Sequence, residues 1–333
     1  MPRTRLLPQD EAFRQRIEMT ISCHDCDHIP KILEGGKIFE ENGQRIQYMF
    51  NGLKVIAGGY YGGWMEEIIQ RLRGHHEPQE EKVFSELLKL VRPDATMIEL
   101  GAFWGYYSAW FGKTIPNSIN YLIEPDPNRI VIGKTNFALN GLTGTFIEAM
   151  IGKESKTSSS FTCESDGSVR NIPTLSVDDL IAANKIKYVE VLHSDIQGAE
   201  LDMLEGCLKS IHERKIRFIL ISTHQTPDPL THFKCIDFLR KHDAHIFAAH
   251  SISESYSADG LIAASFLPAD RGIPIVSVSK NIAINSVYQD GKLARGLRNK
   301  YTIDKQLKPS ALLANIPIYI SAYIRKAREK RRL

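Results

Sequence analysis

Between residues 76 and 267, short β-prone runs alternate with segments whose apolar residues recur at helical spacing, and this alternation narrows the possible folds most. Pro78 suits a first helical position, and Glu80 and Glu81 suit the positive end of the dipole. Val83, Phe84, Leu87, Leu88 and Val91 then follow on one helical face. Buried strands are expected at Thr96–Leu100, Ile119–Glu124, Thr145–Ile151, Tyr188–Ser194 and Arg217–Ser222. Helices are expected near 106–112, 127–140, 198–211 and 229–242, and the polar run KESKTSSS reads as a loop. Two last strands, His245–Ala249 and Gly260–Phe266, have no helix between them and should pair antiparallel at one edge. The whole predicts an α/β domain with a mostly parallel, seven-stranded sheet covered by helices on both faces.

Flanking this core, residues 1–75 form an N-terminal extension and 268–333 a C-terminal one. Asn51-Gly52 lies between two β-prone runs and predicts a type I′ hairpin, whose two central residues both need positive φ. The last residues are basic: RKAREKRR at 325–332 follows a largely apolar stretch, Ala311–Ile324, that is too short to span a bilayer. We read it as a docked terminal helix with a solvated end rather than a contact with anionic lipid. A net charge of +3 gives no reason to expect a nucleic-acid partner. Five scattered cysteines and an N-terminus with charges throughout point to a reducing, cytoplasmic setting. Cys23-His-Asp-Cys26-Asp-His28 has the look of half a zinc site, but only His75-His76 offers a second pair, so no metal is expected.

In an open α/β sheet, ligands sit beyond the carboxyl ends of the strands, so the residues after each strand are the candidates. The first turn, Glu99-Leu-Gly101-Ala102-Phe-Trp-Gly105, opens a helix whose free N–H groups suit an anionic group. It is neither a GxGxxG turn nor a phosphate loop. Glu124, about 20 residues on, stands where an acid accepts ribose hydroxyls, while Asp126 before Pro127 suits an N-cap. Asp195 follows the fourth strand and can face a ligand. His224 follows the fifth, and an imidazole there is a candidate general base; His250 after the sixth is an alternative.

Three segments together, ELGAFWGYYS (99–108), IEPDPNRIVIGKTNFALNG (123–141) and SDIQGAELDMLEGC (194–207), resemble the FkbM family of methyltransferases. HEPQEEKVF (76–84) and TLSVDDLI (174–181) look like that family's entry helix and its lead into the fourth strand. Glu99 stands where the family has Asp, and Phe103 where it has Asn.

The resemblance implies a Rossmann-like class I methyltransferase fold and methyl transfer from S-adenosylmethionine to oxygen. It implies that Glu99, Gly101, Ala102, Gly105, Glu124 and Asp195 bind the cofactor; Asp195 and His224, from their places after the fourth and fifth strands, are the candidates for orienting the acceptor and removing its proton. The acceptor it implies is a hydroxyl of a sugar, glycan or polyketide-like metabolite. An NAD-dependent oxidoreductase is disfavoured by the bulky Phe103-Trp104 in the turn, and a non-catalytic binding protein by the retained acids at 99, 124 and 195.

Overall fold

The computed structural model describes residues 9–225 and 227–281; the basic tail and the apolar stretch before it lie outside them. The chain opens with helix α1 (Gln9–Ile21) and a small antiparallel sheet, β1 (Ile38–Glu41), β2 (Gln44–Tyr48) and β3 (Lys54–Ile56). Neither α1 nor β1 was expected. The type I′ turn is present, but at Asn42-Gly43, where both residues have positive φ and Glu41 pairs with Gln44. At the second Asn-Gly only Gly52 has positive φ. There Gly52 N–H donates to the Met49 carbonyl and Met49 N–H to that of Leu53, so the β2–β3 connection is longer than two residues. Helix α2 (Gly63–Arg71) follows and packs on α1.

The central elements keep the expected alternation: α3 (Pro78–Leu88), β4 (Thr96–Leu100), α4 (Tyr106–Thr114), β5 (Ile119–Ile123), α5 (Pro127–Leu139) and β6 (Thr145–Ile147). The expected third strand breaks here, and β7 (Met150–Ile151) joins a separate sheet with β8 (Lys156–Thr162) and β9 (Val169–Leu175). The run read as a polar loop is therefore strand β8, with mostly exposed side chains that give no apolar alternation to read. Its hairpin tip docks on the start of α5: Ser165 N–H and hydroxyl donate to Asp126, which also caps the helix by accepting from Asn128 N–H.

The chain continues through α6 (Val177–Ala183), β10 (Val189–Ser194), α7 (Glu200–Glu205), α8 (Leu208–His212), β11 (Ile216–Thr223), α9 (Thr231–Lys241), β12 (His245–His250) and β13 (Gly260–Ser265). The single helix expected over 198–211 is two, parted at Gly206-Cys207.

Seven strands order as β12-β13-β11-β10-β4-β5-β6. All run parallel except β13, which is antiparallel to both neighbours and lies one place in from the edge. This is the Rossmann-like class I methyltransferase arrangement. Alternation along β11 shows how it is buried: Phe218 and Leu220 enter the core beneath α3 and α4, Ile219 and Ile221 the one beneath the later helices. Among the described residues no helix is long and apolar enough to cross a membrane.

Strand order reverses between β4 and β10, and their ends touch. Asp195 N–H donates to the Leu100 carbonyl at 2.9 Å. A Cβ on Gly101 (φ +74°) would lie 1.8 Å from the Asp195 carbonyl oxygen. Backbone cannot yield there as a flexible side chain would, so Gly101→Ala should lower unfolding free energy by about 3 kcal/mol or more. Urea titration of the cofactor-free protein measures it, and a loss under about 1 kcal/mol would show that the two strand ends can part.

Candidate active site

The turn after β4 spends its backbone donors internally. Gly101 and Ala102 N–H both donate to the Ile123 carbonyl, and Gly105 N–H to that of Ala102. Gly101 and Ala102 thus line the cleft as wall, not as free amides for an anion. Gly105 is absent from the lining. Its αL conformation caps α4, and a Cβ there would press on Phe137 and Leu122. Glu99, fully buried, accepts Ser108 N–H at 2.9 Å and so holds the first turn of α4. Phe103 sits at φ +42°, a backbone region that asparagine tolerates better than an aromatic residue. Arg129 covers its ring at 4.1 Å, and this contact offsets part of the strain.

Glu124 accepts Phe103 N–H at 3.0 Å and Asp126 N–H at 2.9 Å, one on each oxygen. Each oxygen keeps a second lone pair, and the residue lines the same cleft as Gly101 and Asp195. Burial pushes its carboxyl up to about 7, against the pull of those two donors and of Arg129.

Beyond β10 and β11 lies a histidine among carboxylates. His224 Nδ1 is 2.6 Å from Glu200, and Nε2 is 3.2 Å from Asp195 and 3.3 Å from Asp259. Burial alone would lower the imidazole's affinity for a proton. The hydrogen bonds to Asp195 and Glu200 and the charge of Asp259 outweigh it and raise His224 well above its ordinary range. Burial likewise works against the Asp195 carboxylate, and the hydrogen bond from His224 overcomes it and holds Asp195 below its usual value. The expected pair is thus brought together, and the Gln197 side-chain nitrogen also lies 2.8 Å from His224 Nε2. His250 lines neither cleft; it is buried, with Nδ1 against the Ser251 carbonyl.

Two clefts meet over these residues. One is lined by Glu99, Gly101, Ala102, Phe103, Glu124 and Arg129 on the sheet side. A larger one is lined by Phe13, Arg16, Met19, Trp64, Met65 and Asp259. Tyr60, Tyr61, Glu77, Asp195 and Gln197 face both.

A family model for the methyltransferase FkbM domain matches residues 77–246, slightly more than half of the chain. The chain belongs to the FkbM methyltransferase family. None of the curated proteins compared with it matches. Among solved structures it is similar to a precorrin-6y C5,15-methyltransferase from Geobacter metallireducens GS-15, at 16% identity over 55% of this chain and 87% of the other, with a TM-score of 0.36. An rRNA methylase from Streptococcus thermophilus is similar at 9% identity, over 55% and 93%, with a TM-score of 0.38. TrmK of M. capricolum, in complex with S-adenosylhomocysteine, is similar at 14% identity, over 74% and 96%, with a TM-score of 0.34.

FkbM methyltransferases use S-adenosylmethionine, and the cleft at the strand-order reversal fits it. Glu124 has lone pairs free for two ribose hydroxyls, and the carboxylates of Asp195 and Glu77 suit an ammonium and a sulfonium. Reading strand ends alone missed Glu77, Asp259, Tyr60 and Tyr61. Glu77 precedes Pro78, a helix-start signal that drew attention away from its side chain, and the two tyrosines stand outside the strand–helix pattern.

If Glu124 receives the ribose hydroxyls, Glu124→Gln should weaken S-adenosylmethionine binding by about 1.5–3 kcal/mol, the range for hydrogen bonds to a charged group. Its carboxylate form accepts both hydroxyls and its acid form does not, so wild-type affinity should rise with pH through about 7. The glutamine variant should lose that dependence. Calorimetric titration at several pH values measures both, and equal affinities would remove Glu124 from the cofactor site.

Proposed function

We propose that this methyltransferase acts on a hydroxyl oxygen of a sugar, glycan or polyketide-like metabolite. The observation that carries the reading is the second cleft, where aromatic faces and carboxylates alternate around one opening. Phe13 and Trp64 stack at 5.4 Å, with Tyr61 beside Trp64. Asp195, Asp259, Glu77, Gln197 and Arg16 supply polar groups on the same wall. A polyhydroxylated ring presents apolar C–H faces and hydroxyl edges, and this lining matches both.

The cofactor supplies an electrophilic methyl group when bound. The chain's residues must hold the acceptor oxygen in line with it and take its proton. In this proposal Asp195 and Asp259 orient acceptor hydroxyls, and His224 fixes Asp195 between cofactor and acceptor. With three carboxylates raising it well above its ordinary range, His224 is the weaker candidate for the base. Glu77 suits that task better. Burial, with the nearby charges of Glu80, Asp195 and Asp259 adding to it against His76, pushes its carboxyl up to about 8, and it faces both clefts. The residue sits at the start of α3, with the Tyr107 hydroxyl 3.4 Å from its carboxylate.

The test is a panel of sugar and polyketide acceptors with labelled S-adenosylmethionine, products read by mass spectrometry; nitrogen or carbon methylation alone would overturn the reading. With a working acceptor, kcat/KM should rise with pH to a plateau, with a midpoint near 8, because the free carboxylate is the acting form. Glu77→Gln should lower kcat by about 10²–10⁴-fold and abolish that limb. His224→Ala should slow turnover while keeping the midpoint. If His224→Ala removes the limb and Glu77→Gln does not, the imidazole is the base.

A further inference from the structure

Cys26, His75 and Glu81 come from two segments about fifty residues apart, yet their ligand atoms all lie within 4.8 Å of one another. All three are buried, with Glu81 fully so. We propose that they form a zinc site that locks the N-terminal extension onto the start of α3.

The donor chemistry is specific. A thiolate, an imidazole and a carboxylate together suit zinc and disfavour magnesium or calcium, which take oxygen ligands. Cys26 Sγ stands 3.9 Å from Glu81 Oε2, close to the ligand-to-ligand separation of a tetrahedral zinc. His75 Nδ1 is hydrogen-bonded to the same carboxylate oxygen, a contact that a zinc ion would replace, and Phe50 stacks on the His75 ring at 4.1 Å, fixing its plane. The Pro78 carbonyl oxygen, 3.1 Å from Cys26 Sγ, is a further donor at hand; a water is the alternative fourth ligand.

Among the described residues Glu81 is paired with no lysine or arginine; its partners are His75 and His76. A divalent cation with one thiolate and one carboxylate makes a neutral centre. The loop is shaped to present the thiol: Asp27 N–H returns to the His24 carbonyl, Ile29 N–H to that of Cys26, and Lys31 Nζ donates to the Cys26 carbonyl at 2.6 Å. Cys23 and His28 of the same motif fall outside the group.

The site's place gives it a consequence. His76 and Glu77, between His75 and Glu81 in sequence, line the cofactor cleft. Zinc at this point would fix the segment that carries them, and removing it would loosen that wall.

The experiment is elemental analysis of protein from zinc-supplemented culture, purified without a metal-affinity tag and dialysed. The expected result is about one zinc per chain in the wild type, falling below about a tenth in Cys26→Ser and Glu81→Gln. In case these variants fail to fold, the wild-type chain grown with cobalt in place of zinc gives a second readout. Its absorption should show a thiolate-to-cobalt charge-transfer band and tetrahedral visible bands. A metal-free wild type that binds S-adenosylmethionine normally would overturn the proposal, as would unchanged metal content in both variants or a cobalt form with no thiolate band.

Discussion

The contact between the ends of β4 and β10 sets the position of everything that touches the ligand. Gly101 presses against the Asp195 carbonyl with no room for a methyl group, and Leu100 accepts the Asp195 N–H. Strand order reverses at this pair, so the crossovers leave on opposite faces and open a cleft directly above it. The glycine is therefore required by chain-to-chain approach. Its amide donates to Ile123 on the other neighbour, β5, which ties three strand ends, and hence Glu99, Glu124 and Asp195, into one rigid rim.

A rim of carboxylates in a buried place needs compensation, and the molecule supplies it in graded form. His224 lies between Asp195 and Glu200, and these carboxylates raise its imidazole well above the ordinary range. Glu80 reaches across from α3 to His193 at 2.7 Å and to the Ser222 hydroxyl, linking β10 and β11 under the cleft. Glu124 and Glu77 lack a full counter-charge, and burial pushes both carboxyls up towards neutral pH. Glu77 faces both clefts, where a cationic cofactor would complete its balance.

The sheet was legible because its strands are buried on both faces and its helices carry apolar stripes: β4 and α5 fall where period and capping place them. What escaped the sequence lacked such a pattern. Strand β8 has mostly solvated side chains, so nothing distinguishes KTSSSFT from a loop. The two Asn-Gly pairs are chemically alike, and only pairing with β1 decides that Asn42-Gly43 takes both positive φ values. Glu80 and Glu81 look like helix-dipole residues in sequence, yet both are buried, Glu80 against His193 of β10 and Glu81 against His75 and His76 just before its own helix. His224 was read beside Asp195, but Glu200 and Asp259, which raise its imidazole well above the ordinary range, are brought to it only by the fold.

The division of labour follows from which residues line which cleft. The inner cleft takes Glu99, Gly101, Ala102, Glu124 and Asp195 from the ends of β4, β5 and β10, inside the segment that matches the family, and Tyr60, Tyr61 and His76 from outside it. The outer cleft takes Phe13, Arg16 and Met19 from α1, Tyr60 and Tyr61 from the loop before α2, and Trp64 and Met65 from α2. None of these lies within the matched residues 77–246. Tyr60 stacks on Trp104 at 4.5 Å and Tyr61 meets Phe103 edge-on, so the extension reaches the cofactor turn itself. If the outer cleft takes the acceptor, as proposed, acceptor choice can change through α1, α2 and their loop without disturbing Gly101, Glu124 or Asp195.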